Sequence, residues 1–138
     1  MQKARWQPRS HLRSDDGCLL RIGDRVYRHG FYAHSKSRIS IPLDGAYTTF
    51  RTTFGVLTDD PRGAERNRRP DLADVDARIL ADGKELWARK SITLGDGAIA
   101  IGPLDLAGAK TLVLEVDYGK NLDVCDDVAW VDPILVRK

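Results

Sequence analysis

The stretch HGFYAHSKSRISIPLDGAYTTFRTTFGV, from His29 to Val56, decides the fold of this chain. Apolar and polar side chains alternate at Ile39–Leu43 and again at Phe50–Val56, and a period of two is typical of a β-strand with one buried face. Asp44-Gly45 between the two segments is a turn signal. Pro42 predicts an edge strand or a strand end, because proline cannot donate a hydrogen bond to a neighbouring strand. The stretch therefore predicts consecutive β-strands.

The rest of the chain repeats this pattern. Alternation predicts strands at Val75–Ala81, Leu112–Tyr118 and Val128–Val136, and in the last of these Trp130, Ile134 and Val136 share one parity. Shorter strands are predicted at Leu19–Ile22, Val26–Arg28, Leu86–Ala88 and Ala98–Ile101. Asp82-Gly83 is a hairpin signal, because both central residues of a type I′ turn need positive φ. About eight short strands without a helical apolar stripe predict an all-β fold, an antiparallel β-sandwich of jelly-roll type.

Length and composition fit one globular domain. The chain has 138 residues, 42% of them hydrophobic and 30% charged, and a domain of this size buries enough surface to fold without disulfides or metal. No apolar run approaches the roughly 20 residues needed to cross a bilayer, so no membrane span is predicted. Cys18 and Cys125 show no metal-binding spacing. They either pair in a disulfide or are two unrelated buried thiols.

The N-terminal segment carries the basic charge. Its first 13 positions hold no acidic residue and four basic ones, which are Lys3, Arg5, Arg9 and Arg13. The net charge of the whole chain is only +2. We expect residues 1–18 to form an arm or linker and residues 19–138 the folded module. A solvated linker is favoured over a nucleic-acid-binding arm, and no nucleic-acid partner is predicted. A secretory signal would be apolar at the positions that Trp6-Gln7-Pro8-Arg9 occupy. The protein is therefore expected either to stay inside the cell or to be a segment of a longer exported chain.

Several short motifs occur in a fixed order between Leu19 and Val136. They are Tyr27, Gly30, His34, Ser37, Ile39–Leu43, Phe50, Gly55-Val56, Asp82-Gly83-Lys84, Trp87, Gly108-Ala109-Lys110 with Leu112, and Asp126, Trp130 and Asp132. In order and spacing the chain resembles the carbohydrate-binding modules of the NPCBM type, which include carbohydrate-binding module family 51. The resemblance implies a galactose-binding-domain-like sandwich that binds a galactose-type sugar and is not itself catalytic.

The chain departs from the family pattern at a few positions. Tyr32 replaces the second glycine of the family's Gly-x-Gly-Thr-His-Ala motif, and Leu57 stands where an aspartate often follows Gly-Val. The segment Asp59–Ala73 is longer and richer in arginine than usual. A long connection in a compact domain is typically either functional or disordered. These departures concern sugar specificity more than the fold.

A sugar site needs an aromatic face for the apolar side of the ring and a few fixed polar groups for its hydroxyls. The residues available for these roles are Tyr32, His34, Arg62, Arg66, Asn67, Trp87, Asp127 and Trp130. Each has a structural alternative. The parity of Trp130 is typical of a core residue, His34 is equally consistent with a structural histidine, and Trp87 follows a hairpin. The arginines of the 59–73 segment are otherwise solvated surface residues.

Calcium is the cofactor that the resemblance implies, because related sandwiches commonly carry a structural ion. Ca²⁺ binds about six to eight oxygen ligands from carboxylates and carbonyls. Asp126 and Asp132 are the predicted ligands, and the alternative is that they are solvated turn residues. No EF-hand loop is present.

Enzymatic function is disfavoured, because none of the GxSxG, HExxH, P-loop or GxGxxG motifs occurs. The sequence therefore predicts a non-catalytic module that recognises a terminal sugar and tethers a larger, multidomain protein to glycans. Such a protein is expected to be extracellular, periplasmic or on the cell surface. The alternative is a protein-interaction or structural sandwich that binds no sugar.

Overall fold

Alternating apolar side chains build the strands of this protein. The computed structural model describes residues 12–13, 19–34, 36–58, 73–118 and 127–138. In chain order these residues form β1 Leu12–Arg13, β2 Leu20–Ile22, β3 Arg25–Tyr27, β4 Gly30–His34, β5 Ser37–Pro42, β6 Tyr47–Val56, β7 Val75–Ala81, β8 Lys84–Ile92, β9 Ile99–Asp105, β10 Thr111–Tyr118 and β11 Asp127–Arg137. A short 3₁₀ turn at Leu94–Asp96 lies between β8 and β9.

The strands form two main sheets and a hairpin. One sheet has five strands in the order β1-β4-β11-β6-β9, and the other has four in the order β5-β10-β7-β8. β2 and β3 pair only with each other within the described residues. Every pairing is antiparallel. The predicted all-β antiparallel sandwich is confirmed.

The main core lies between the two sheets. β7 shows why: Val75, Ala77, Ile79 and Ala81 are all buried, while the residues between them are more exposed. They pack with the inward residues of β10, the neighbouring strand of the same sheet, and of β6 in the facing sheet. Burial of apolar surface contributes about 25 cal/mol of free energy per Å². This two-sided core is therefore the main source of stability.

A bulge in β11 reverses the parity that the sequence predicts. The register with β6 shifts between Val131 and Ile134, and Asp132 takes a φ of 49°. After the shift Leu135 packs on the core, whereas Ile134 and Val136 are 40% and 49% exposed. The common face predicted for Trp130, Ile134 and Val136 is therefore wrong, because a bulge adds residues to one strand and turns the later side chains over.

A second apolar cluster lies on the outer face of the five-stranded sheet. The β2–β3 hairpin places Leu20, Ile22 and Tyr27 against outward-facing residues of that sheet, which are Tyr32, Leu57, Ala129 and Val131. Gly55 lies under this hairpin: a Cβ there would come within 2.6 Å of Ile22 Cγ2 and 2.8 Å of the Gly97 carbonyl oxygen. Only glycine lets the hairpin approach the sheet this closely.

Two strands differ from the sequence-based expectation. β4 is not among the strands predicted from the sequence, and it pairs with the first half of β11. β1 lies within the segment 1–18 that we expect to be an arm, and its two residues pair with Phe31 and Tyr32 of β4. The boundary at residue 18 remains a prediction. Cys18 and Cys125 lie outside the described residues.

Proline and charge mark the outer strands. Pro42 ends β5, an edge strand of the four-stranded sheet, as predicted. Pro103 lies in β9, an edge strand of the other sheet. The other edge strand of the four-stranded sheet, β8, is lined with exposed charged residues, which are Lys84, Glu85, Arg89 and Lys90. Within the described ranges, no helix is long and apolar enough to span a membrane.

Candidate functional site

One end of the sandwich, here called the loop end, gathers the long connections of the chain. β4, β6, β8 and β10 finish there, and β5, β7, β9 and β11 begin there. It carries the connections 35–36, 57–74, 93–98 and 119–126. At the opposite end, short turns are closed by hydrogen bonds such as those from Lys110 N and Thr111 N to the Asp82 carboxylate. Binding residues are typically found on loops that a rigid scaffold positions, so the loop end is the candidate site.

A buried hydrogen bond joins two of the predicted site residues at this end. Tyr32 Oη donates to Asp127 Oδ1 over 2.9 Å, although the two residues are 95 positions apart in the sequence. They are diagonal neighbours on adjacent strands, because Asp127 pairs with His34 in the β4–β11 register. Their side chains share the outer face of the sheet, where Tyr32 packs under the β2–β3 hairpin. The hydroxyl donor stabilises a carboxylate that burial would otherwise penalise.

The buried carboxylates of the described residues are both at the loop end. Asp127 begins β11 and is 5% exposed, and Asp74 immediately precedes β7 and is 6% exposed. The other buried polar residue in the described ranges, Thr52, is far less costly to bury because its hydroxyl donates to the Val131 carbonyl over 2.7 Å. Carboxylates are rarely buried without a specific partner or role. This pair distinguishes the loop end from the rest of the sandwich.

The connection 57–74 leaves from a fixed base. Leu57 N donates to the Asp127 carbonyl oxygen over 2.9 Å, which ties the end of β6 to the start of β11. The next residue, Thr58, donates from its backbone N and its Oγ1 to the Arg21 carbonyl oxygen, at 3.0 and 3.4 Å. A base held by both β11 and the hairpin is pre-organised, so ligand binding needs less ordering there.

The burial of Tyr32 and Asp127 corrects their predicted role as direct sugar contacts. Tyr32 is 2% exposed and offers no ring face to a ligand. The physical reason for the correction is that the β2–β3 hairpin packs on Tyr32, whose hydroxyl is in turn bonded to the buried Asp127 carboxylate. Their positions suit support of the loop end, not contact with a sugar.

The two tryptophans predicted to contact a sugar, Trp87 and Trp130, lie away from the loop end. Trp130 is fully buried at the centre of the five-stranded sheet, with Phe54 4.4 Å from its ring. Its prediction as a stacking platform is therefore wrong, and the core alternative holds. Trp87 points inward from β8 and meets Trp130 edge-on at 6.4 Å. It is half-buried and packs on the core, at the level of Ile79 in the middle of its sheet.

The remaining sugar-contact candidates are only partly described. His34 is the last residue of β4 and its backbone pairs with Asp127, at the loop end. Arg62, Arg66 and Asn67 lie outside the described residues, within the connection that joins Thr58 to Ala73. Their predicted roles remain predictions.

The predicted calcium ligands are only partly described. Asp126 lies outside the described residues, directly before Asp127. Asp132 is exposed and lies five residues along β11 from Asp127, about 16 Å away at the rise of an extended strand. The calcium role predicted for Asp126 and Asp132 remains a prediction. Within the described ranges no three His, Cys, Asp or Glu side chains are grouped to hold a metal.

Asp74 is the site residue that sequence reasoning missed. The sequence contains a signal for it. Asp74 stands between the arginine-rich connection and the alternating strand Val75–Ala81, so it marks the start of a strand, where loops converge. Its burial could not be read from the sequence, because the local pattern gives no information on what covers a strand end.

Comparisons with known proteins agree with this architecture. The CBM51-2 module of Clostridium perfringens ZmpB, solved with INT domains and in complex with GlcNAc, is 19% identical with a TM-score of 0.77, over 99% of this chain and 30% of that one. The CBM51 of C. perfringens GH95, in complex with methyl-galactose, is 20% identical with a TM-score of 0.71, over 99% of this chain and 95% of that one. The tandem CBM51 modules of Sp3GH98, a family 98 glycoside hydrolase from Streptococcus pneumoniae, are 16% identical with a TM-score of 0.71, over 100% of this chain and 44% of that one.

These structural likenesses show a shared fold. This chain spans about 30% of the length of the ZmpB chain that it resembles. No curated protein sequence matches it. The family model described as NPCBM/NEW2 domain matches residues 1–136, nearly the whole chain. The chain therefore belongs to the NPCBM/NEW2 domain family.

Proposed function

We propose that this chain is a non-catalytic module that binds a terminal galactose-type sugar at the loop end. The observation that carries the proposal is the pair of buried carboxylates, Asp74 and Asp127, at the end where the longest connections converge. Membership of a carbohydrate-binding family and the methyl-galactose complex of a module with the same fold support the choice of ligand.

The proposed contacts come from four polar residues, His34, Arg62, Arg66 and Asn67. Guanidinium, amide and imidazole groups pair with adjacent sugar hydroxyls in fixed directions. The Tyr32–Asp127 hydrogen bond and the Leu57–Asp127 backbone bond hold the strands from which these residues extend. A shallow site with few buried atoms binds weakly, with Kd on the order of 10⁻³ to 10⁻⁵ M.

The biological role that fits weak binding is tethering. We propose that the module belongs to a longer, exported protein and brings it to a glycan-bearing surface. Several weak modules on one chain increase the overall affinity, because the second binding event becomes intramolecular. The neighbours with this fold come from larger proteins, among them a glycoside hydrolase.

A titration with matched arginine variants tests the proposal. Isothermal titration of the chain with methyl galactoside and N-acetylglucosamine measures Kd, and Arg66→Ala and Asn67→Ala are compared with Arg51→Ala. Arg51 is exposed on β6, away from the loop end. We expect the loop-end variants to weaken binding about tenfold, the loss of one charged hydrogen bond of about 1.5 kcal/mol, and Arg51→Ala to bind normally.

The absence of binding to any sugar of a broad panel at millimolar concentration would contradict the proposal. That panel includes galactosides, fucosides and acidic sugars. Such a result favours the alternative, a protein-interaction or structural sandwich. Equal losses in Arg66→Ala and Arg51→Ala would place the site elsewhere than the loop end.

A further inference from the structure

A groove crosses the outer face of the four-stranded sheet, from the middle of that face to the strand residues next to the loop end, and lies on the other side of the sandwich from the β2–β3 hairpin. It spans β10, β7 and β8 and has a volume of about 280 Å³. Its walls include Glu115, Arg78, Glu85 and Lys90, with Ala88 in the middle. No described element covers this face, unlike the outer face of the other sheet.

Irregular pairing of β8 shapes the groove. The β7–β8 register shifts twice, between Val75 and Ala77 and between Ile79 and Leu80. At the first shift Ser91 takes a φ of 53°, and its backbone N donates to Asp76 Oδ1 over 2.9 Å. Ala88 lies opposite Arg78 and leaves an open space beside the longer side chains. The groove therefore follows the irregular backbone of β8, and exposed charged side chains form its walls.

Ion pairs hold the polar groups of the groove in place. Glu115 accepts hydrogen bonds from Arg38 Nη1 at 2.8 Å and from Arg78 Nε at 2.5 Å. Arg78 Nη1 also lies 3.5 Å from Glu85 Oε1, so the ladder runs across all four strands. Glu115 raises the pKa of Arg78 above its ordinary value by hydrogen bonding and charge. A fixed guanidinium keeps N–H donors available beside fixed carboxylate acceptors.

The composition of the groove selects a neutral polyol. Four carboxylates and three cations line it, so neither an anion nor a cation is favoured overall. Fixed donors and acceptors side by side match adjacent hydroxyls, each of which donates and accepts. The volume lies just below the roughly 300 Å³ at which ligand pockets begin, the scale of a single small ring.

We propose that this groove is a second saccharide-binding site, which takes one neutral sugar ring without aromatic stacking. The inference rests on the proposed function for the class of ligand but not for the location. A module with sites on its end and on its sheet face can bridge two glycan chains, which gives avidity within a single domain.

Amide chemical-shift mapping locates each site independently. The ¹⁵N-labelled chain is titrated with methyl galactoside and with N-acetylglucosamine, and glycerol serves as a polyol without a ring. We expect shifts at Arg78, Glu85 and Glu115, the groove residues further from the loop end, as well as at the loop end itself, and much smaller shifts with glycerol. The key variant is Ala88→Tyr, which fills the groove at an exposed strand position. Its control is Ile134→Tyr, at an exposed position of β11 on the other sheet and away from the loop end.

The outcomes separate the two proposals. Loss of at least tenfold in groove affinity in Ala88→Tyr, with Ile134→Tyr unchanged and the loop-end shifts retained, supports the groove. Shifts confined to the loop end overturn the groove and leave the proposed function intact. Shifts confined to the groove overturn the loop-end assignment alone. An absence of shifts anywhere overturns both.

Discussion

The outer faces of the two sheets differ in how they meet solvent. On the five-stranded sheet, the β2–β3 hairpin covers an apolar cluster that includes Tyr32, Leu57 and Val131. On the four-stranded sheet, the corresponding face carries the ladder Arg38–Glu115–Arg78–Glu85 and no covering element among the described residues. The covered face adds a second core, and the open face adds ordered polar groups.

This difference predicts that the two faces contribute differently to the free energy of unfolding and to ligand binding. Apolar burial contributes to the free energy of unfolding, whereas exposed ion pairs contribute little because water and salt screen them. The hairpin face should therefore be where substitutions unfold the protein. The ladder face should tolerate substitution and reveal its role only through ligand binding.

The largest effect is expected from Ile22→Ala. Ile22 is fully buried between the hairpin and the sheet, so the truncation removes apolar contacts and leaves a cavity. We expect the free energy of unfolding to fall by about 2–5 kcal/mol, measured by urea denaturation. Ile134→Ala is the control, because Ile134 is 40% exposed on the uncovered half of the same sheet face. Equal losses in both variants would contradict the second core.

A smaller loss is expected from Gly55→Ala. The added methyl group would meet Ile22 Cγ2 at 2.6 Å and the Gly97 carbonyl oxygen at 2.8 Å. Overpacking of this kind costs about 1–3 kcal/mol in the free energy of unfolding. Gly95→Ala is the matched control, since its nearest neighbour is Thr93 Oγ1 at 3.8 Å. A Gly55→Ala variant as stable as the control would show that the hairpin shifts without cost.

Tyr32→Phe tests the polar link under the hairpin. The substitution removes the hydroxyl that donates to Asp127 and leaves that buried carboxylate with one donor fewer. We expect a loss of about 1–3 kcal/mol in urea denaturation. Tyr47→Phe is the comparison, because the Tyr47 ring packs under Arg137 and its hydroxyl makes no hydrogen bond with a described residue. A neutral Tyr32→Phe would remove the proposed support of the loop end.

The smallest effect on stability is expected from Arg78→Ala. Its ion pairs with Glu115 and Glu85 lie in the open, so the midpoint of urea denaturation should not change measurably. The same variant should weaken sugar binding in the groove by several-fold in the shift titration. A marked loss of stability would show that the ladder, like the hairpin, holds the fold together.

Most of the sandwich was predictable because its strands carry a local signal. The bounds predicted for β7 agree with the structure, and those predicted for β6 and β10 fall within their strands. β4 escaped prediction because its sequence, GFYAH, has no alternation and its partner strand β11 is far along the chain. The bulge near Pro133 reversed the last strand for a related reason: a register shift depends on the neighbour, and the neighbour is not local.

The site was less predictable than the fold. The spacing of Tyr32 and Asp127 along the chain says nothing of their hydrogen bond, which exists only because β4 and β11 are adjacent. The burial of Trp130 likewise follows from the central position of β11 in its sheet. Sequence identifies residues able to bind sugar, but the layer that covers each strand decides which of them reach solvent.

The prolines of the outer strands have a consequence for crowded arrangements of such modules. An open strand edge is a template on which a second copy can add its own strand and begin to aggregate. Copies of one domain linked in tandem face each other at effective concentrations near the millimolar range. Pro42 on β5, Pro103 on β9 and the charged row along β8 interrupt that template. A sandwich with such edges can be repeated along a polypeptide while each copy stays a separate unit.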